Sequence, residues 1–173
     1  MSRNEGLVSL KKENYENLKD FLSSVFYRDD SAQLSKAAFM LVHKINSCGN
    51  FGLRASDWKI HVMDSFNVEQ PEQGDKEIVD NMLAKYDLKR ARGSKPIKAL
   101  LSKHKKGKLK LPKDELEVLE NYLVWNSAIS GYYSIIKKLK AIGFIERKEG
   151  NYFLSSKLSD RLSQIKKIIK EIK

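Results

Sequence analysis

The chain has 173 residues, with 33 Lys/Arg against 22 Asp/Glu, a formal net charge of +11 and 41% hydrophobic residues. That length can bury a core as one domain or two small ones. The single cysteine, Cys48, excludes an internal disulfide framework and a cysteine-based zinc site. No apolar run approaches the ~18–20 residues of a membrane span, and the first residues lack the apolar stretch and cleavage site of a secretory signal. The expectation is a cytoplasmic (intracellular) protein with no membrane partner.

The charge is unevenly spread. Residues 1–88 carry 11 Lys/Arg and 14 Asp/Glu, whereas residues 89–113 carry 11 Lys/Arg and no acid. Residues 114–173 carry 11 Lys/Arg and 8 acids. A focused basic segment of this kind attracts polyanions, most often nucleic acid; a solubilising linker is the other reading.

In chain order, residues 13–27 read as an amphipathic helix with Tyr15, Leu18, Leu22, Val25 and Phe26 on one side. A second helix follows from the Asp30-Ser31 cap to about Ser47, with Leu34, Ala38, Leu41, Val42 and Ile45 apolar. Residues 48–52 form a loop. A third helix starts after Ser56 and places Trp58, Val62 and Phe66 on one face as core material. These three predict an N-terminal helical bundle over 1–72, ended by the polar, Pro- and Gly-containing stretch 67–75. Asp75 caps the next helix, which bears Ile78, Val79, Met82, Leu83 and Tyr86 and ends near Arg92-Gly93. Pro96 opens a short helix, Leu109 and Leu111 alternate with lysines like an edge strand, and Pro112 opens another helix with acids in its first turn. Asn126 and Ser127 mark a turn. From Ser130 to Ile142, Tyr132, Ile135, Ile136, Leu139 and Ile142 form an apolar stripe, opposite Ser130, Tyr133, Ser134, Lys137, Lys138 and Ala141. Gly143 ends that helix, and residues 144–148 and 151–154 form a hairpin about Glu149-Gly150.

The pattern of helix, Leu139-Lys140-Ala141-Ile142, Gly143-Phe144-Ile145, basic residue, turn and Tyr152-Phe153-Leu154-Ser155 resembles the recognition helix and wing of winged helix-turn-helix regulators. The fold class expected is mainly α with a minor β part: the N-terminal bundle, then a winged helix-turn-helix domain over 75–173 with a C-terminal helix. The resemblance implies a non-enzymatic, double-stranded DNA-binding protein of the transcription-regulator kind, with helix 130–142 in the major groove and 144–154 as wing. The expected DNA contacts are Ser130, Tyr133, Ser134, Lys137 and Lys138 on the helix, with Arg147 and Lys148 on the wing. Lys105, Lys106, Lys108, Lys110, Arg90 and Arg92 of the basic segment would track the backbone. The helix face lacks Arg, Asn and Gln, the best bidentate base readers, so modest sequence specificity is expected. A plasmid or viral replication or partition initiator and a winged-helix protein-interaction module stay open as alternatives.

Over 156–173, Leu158, Leu162, Ile165, Ile169 and Ile172 recur at heptad spacing. Two heptads are too short for an isolated coiled coil. They either pack on their own domain or pair with a second subunit, and a homodimer is expected. Catalytic, cofactor and metal chemistry is not expected. His43, His61 and His104 have no ligand spacing, Gly107-Lys108-Leu109 lacks the rest of a phosphate-binding loop, and no GxSxG occurs. Asp57-Trp58-Lys59 and Glu146-Arg147-Lys148 are short enough to arise by chance, and Cys48 has no identifiable base beside it.

Overall fold

The computed structural model describes residues 18–26, 32–88 and 94–156. Among these residues the protein is mainly helical, with a small antiparallel sheet. In chain order come α1 (Leu18–Val25), α2 (Ala32–Ser47), β1 (Leu53–Arg54), α3 (Trp58–Phe66), α4 (Asp75–Lys85), α5 (Lys95–Lys105), α6 (Lys113–Ala141), β2 (Ile145–Lys148) and β3 (Asn151–Leu154). Single 3₁₀ turns at Gly49–Phe51 and Ala55–Asp57 flank β1.

The chain folds as two compact units, and their division does not follow a boundary near 73–74. One unit joins Met1–Phe66 to Gly131–Lys173, and the other is the contiguous stretch Asn67–Ser130. The reason lies in the sheet, whose order is β1-β3-β2. β1, from the N-terminal half, pairs antiparallel with β3 through Leu53↔Tyr152 and Arg54↔Asn151. The Asn151 side chain also donates a hydrogen bond to the Phe51 carbonyl at 3.1 Å. The β2–β3 hairpin therefore belongs with the N-terminal helices.

In this split unit α2 packs against α1, α3 and β3. Its core holds Leu22, Phe26, Ala38, Leu41, Ile45 and Val62 together with Tyr132, Ile135 and Leu139 from the end of α6. Phe21 stacks on Phe144 with ring centroids 5.7 Å apart. Gly131 sits inside α6 where a Cβ would come within 2.9 Å of Leu34 and 2.8 Å of Phe66, so a glycine lets α6 approach α2 and α3 closely. The β2–β3 hairpin closes through Glu149-Gly150, with φ of +47° and +81°. Two consecutive positive φ values define the type I′ turn whose twist suits a two-residue hairpin.

The contiguous unit has its own core of Val79, Met82, Leu83, Ile97, Leu100, Leu101, Leu111 and Leu119. Its helix starts follow electrostatics: Asp75 and Glu77 lie in the first turn of α4, and Asp114 and Glu115 in that of α6. Asp75 begins α4, and its carboxylate accepts the Glu72 N–H at 2.9 Å. α4 stops well before Arg92-Gly93. Asp87 takes a left-handed φ of +54°, its N–H bonds to the Ala84 carbonyl, and Leu88 N–H reaches the Leu83 carbonyl. The same closing pair recurs at Gly107-Lys108 and at Gly143-Phe144, so three helices end in Schellman motifs.

Two further expectations give way. Residues 109–112 form no strand: Leu111 is buried and Leu109 partly so, but the Leu111 N–H bonds to His104 Nδ1 rather than to a neighbouring strand. No turn occurs at Asn126-Ser127 either, because α6 is one helix of 29 residues. Asn and Ser are weaker helix formers than Ala by only ~0.5–0.7 kcal/mol each and fix no dihedral. The buried positions Trp125, Ala128, Tyr132, Ile135 and Leu139 carry a 3-4-3-4 spacing straight through the proposed break.

Candidate functional site

The last third of α6 and the hairpin after it bring several of the expected residues into one unit. Tyr132, Ile135, Ile136 and Leu139 fasten this stretch to the core and turn Tyr133, Lys137, Lys140 and Ala141 outward. Ser134 is half-buried. Lys138 is turned from that face: its ammonium lies 5.1 Å from the centroid of the Phe26 ring, so its stem and charge pack against the α1 end. Ser130 is exposed but is the last residue of the contiguous unit.

On the β2–β3 hairpin, Arg147 and Lys148 are both exposed. The Arg147 guanidinium lies 6.0 Å over the Tyr152 ring, which orients it. Lys148 donates to Glu146 Oε1 at 2.7 Å, an exposed pair worth little energetically, from which the lysine is easily drawn. Lys105, Lys106, Lys108 and Lys110 are exposed in the contiguous unit. Arg90, Arg92 and the heptad positions Leu158, Leu162, Ile165, Ile169 and Ile172 lie outside the described residues.

Three residues of this face escape a reading of periodicity. Trp58 fits the apolar stripe of α3, yet it is only half-buried and its ring lies 6.2 Å from that of exposed Tyr133. Lys59 extends its ammonium over the Trp58 ring at 6.0 Å. Lys140 falls between the two faces drawn on a helical wheel, and the structure leaves it exposed. The signal in the sequence was the Trp58-Lys59 neighbourhood, an aromatic beside a cation at a helix start.

Charge also separates the two units. The described residues of the split unit hold ten Lys/Arg and five Asp/Glu, and those of the contiguous unit hold ten of each. Within the split unit, Asp64 is taken up by Lys44. In the contiguous unit the charges are segregated: lysines occupy α5 and the segment after it, whereas Glu69, Glu72, Asp75, Asp114 and Glu117 line a cleft of about 580 Å³. A polyanion is repelled from that cleft and attracted to the lysines.

Beneath the outward face lies a buried polar pair. His61 Nε2 is 2.8 Å from the Arg54 carbonyl, an acceptor only, so Nε2 carries a proton and donates it to that oxygen. Burial lowers the His61 pKa, with the backbone bond to Arg54 opposing and the Lys44 charge reinforcing the shift. The Tyr132 ring is 6.4 Å away, and burial pushes its phenol pKa up. His61 Nδ1 and Tyr132 Oη have no hydrogen-bond partner among the described residues. The described residues contain no group of three or more His, Cys, Asp or Glu arranged to hold a metal, and no helix long and apolar enough to cross a membrane. Comparison with protein-family models, curated proteins and solved structures gives no match.

Proposed function

We propose that this protein binds double-stranded DNA through a winged helix-turn-helix interrupted by an insertion. The observation that carries this is the order of elements in the split unit. A helix (α2), a short strand (β1), a second helix (α3), the end of α6 and a β2–β3 hairpin follow one another, and β3 lies between β1 and β2. On this reading residues 67–130 are inserted between the second helix and the recognition helix, and β1 is the strand that backs the wing.

The recognition surface is then the end of α6 with Tyr133, Lys137 and Lys140, joined by Trp58 and Lys59 at the start of α3. A major groove about 12 Å wide admits one such helix. Ser134 flanks the surface, and Arg147 and Lys148 at the hairpin reach phosphates or the adjoining minor groove. Lys138 is a lesser contact because its ammonium is held over Phe26. The lysines of α5 and residues 106–113 act on the phosphate backbone in a second, sequence-independent contact. A transcription regulator is the outcome this reading favours; a replication or partition initiator uses the same chemistry. The lysine-bearing face weighs against a protein-interaction module. Homodimer formation rests on the spacing of Leu158, Leu162, Ile165, Ile169 and Ile172 alone. A monomeric mass at tens of micromolar, unchanged by Ile165→Glu, would remove it.

The test is duplex binding measured by anisotropy over a range of salt. Contacts to ~6 phosphates give a log–log slope near −5. Lys137→Glu with Lys140→Glu should abolish binding at ~100 mM salt, a range in which such contacts still act. Unchanged affinity would overturn the assignment. Selection from a random duplex library then separates a sequence-reading regulator from an architectural binder.

A further inference from the structure

Tyr132, Tyr152, Phe21, Phe26 and Phe144 are buried. Trp58 and Tyr133 depart from that pattern on the face proposed above to meet DNA, with Tyr133 51% exposed. Their ring centroids lie 6.2 Å apart with planes inclined at 40°, so the two rings make one continuous aromatic surface spanning α3 and α6. The surface is fixed from below, because Tyr133 packs edge-on against Tyr132 at 5.4 Å, and Tyr132 is only 1% exposed. Cations flank it: Lys59 stands over Trp58, and Lys137 projects one helical turn beyond Tyr133. A helix that only touched phosphates in a groove gains nothing from leaving the Tyr133 ring exposed beside a half-exposed Trp58.

We propose that Trp58 and Tyr133 form a stacking platform for a nucleobase displaced from the helical stack, while Lys59 and Lys137 neutralise the phosphates on either side of it. This rests on the DNA-binding reading and deepens it: the preferred ligand becomes a duplex with an opened step, a bulge or a mismatch rather than perfect B-form DNA. Every base has a π-face, so such recognition tolerates sequence. That agrees with a helix face lacking Arg, Asn and Gln. Unstacking is least costly where a base is already unpaired, which gives the platform its selectivity.

The experiment uses the full chain with Trp125→Phe, which leaves Trp58 as the single tryptophan of the two in the sequence. A perfect duplex and the same duplex with one bulged base are titrated at ~100 mM salt, where backbone contacts and stacking both contribute. The bulged duplex should bind about tenfold tighter and quench Trp58, as expected for one base stacked on an aromatic side chain. Tyr133→Ala should erase that preference with the salt slope unchanged, since no charge is removed, and Tyr133→Phe should keep it. Equal affinity for the two duplexes, or a preference that survives Tyr133→Ala, overturns the platform while leaving DNA binding in place. Binding to neither duplex overturns the DNA reading itself. Should Tyr133→Ala fail to fold, Trp58 quenching by the bulged duplex alone decides the matter, because its absence overturns the proposal without any Tyr133 variant.

Discussion

The two units reach a packed core by opposite routes. In Asn67–Ser130, neighbours in sequence become neighbours in space: α4, α5 and the start of α6 surround a cluster drawn almost wholly from Leu, Ile, Val and Met. The split unit closes only when β1 finds β3, and the Asn151 side chain bonds the Phe51 carbonyl across 100 positions of sequence. It also carries most of the exceptional chemistry, namely the buried His61, the Tyr132 hydroxyl that finds no partner among the described residues, and the partly exposed Trp58–Tyr133 pair. Loop closure over a long separation must precede the contacts that reward it, so the contiguous unit should form early and the split unit late. The surface proposed to meet DNA is thus placed on the part of the chain that is harder to assemble.

Core truncations would break this contrast most strongly. Leu100 and Ile135 are both fully buried, one in each unit. Replacing either with Ala should cost about 3 kcal/mol, within the range for buried aliphatic truncations. Hydrogen exchange should show Leu100→Ala releasing the amides of α4 and α5 while those of β1–β3 stay protected, and Ile135→Ala doing the reverse. Uniform loss of protection in both variants would mean that the two units unfold as one.

Next in size is the join that makes the split unit. Gly52 has φ +67° and ψ +168°, a conformation essentially confined to glycine, and a Cβ there would come within 2.5 Å of the Phe153 ring. Gly52→Ala should therefore destabilise by about 2–3 kcal/mol from backbone strain and steric overlap together. Gly74 in the contiguous unit has open space around it and no positive φ. Gly74→Ala should change stability by less than about 0.5 kcal/mol in thermal unfolding, as surface substitutions usually do.

These two glycines also show what a reading of the sequence reaches. The helices were legible because each has an apolar stripe at helical spacing, and the hairpin because Glu149-Gly150 lies between two β-prone runs. The pairing of β1 with β3 was not. β1 is two residues long, too short for any alternation to register, and its partner lies about 100 residues away. The continuity of α6 was missed for a different reason. Asn126 and Ser127 look like punctuation locally, but the stripe that runs through them is stronger than their propensity. At the candidate site Tyr133 and Lys137 were legible from the wheel, whereas Trp58 was hidden, because a half-exposed tryptophan and a core one occupy the same stripe.

A smaller effect compares the lysines of the two units. If helix and insertion both touch DNA, Lys137→Gln and Lys108→Gln should each reduce the salt slope of duplex binding by about 1. Only the first should also weaken the preference for a bulged duplex, since Lys137 lies one helical turn beyond Tyr133, whereas Lys108 makes a sequence-independent backbone contact on this reading. Equal changes in that preference for the two variants would refute the division of labour.

The smallest expected effect is on pH, and its sign follows from His61. In the folded chain burial holds the imidazole neutral, with Nε2–H donated to the Arg54 carbonyl. In the unfolded chain it titrates near the ordinary histidine value of about 6.5. Above that value both states are neutral there and His61 contributes no pH dependence. Below it the unfolded chain binds a proton that the folded chain resists, so stability declines with falling pH until the depressed folded value is reached. The slope from this group cannot exceed about 1.4 kcal/mol per pH unit, one proton's worth. His61→Gln keeps an N–H for Arg54 but does not titrate. Denaturant unfolding between pH 7 and pH 5 should therefore be flatter for the variant than for the wild type, and the difference should appear in amides of the split unit only. The same decline in both proteins would show that acid acts elsewhere, and that His61 is already paired in a way its geometry with Arg54 does not provide.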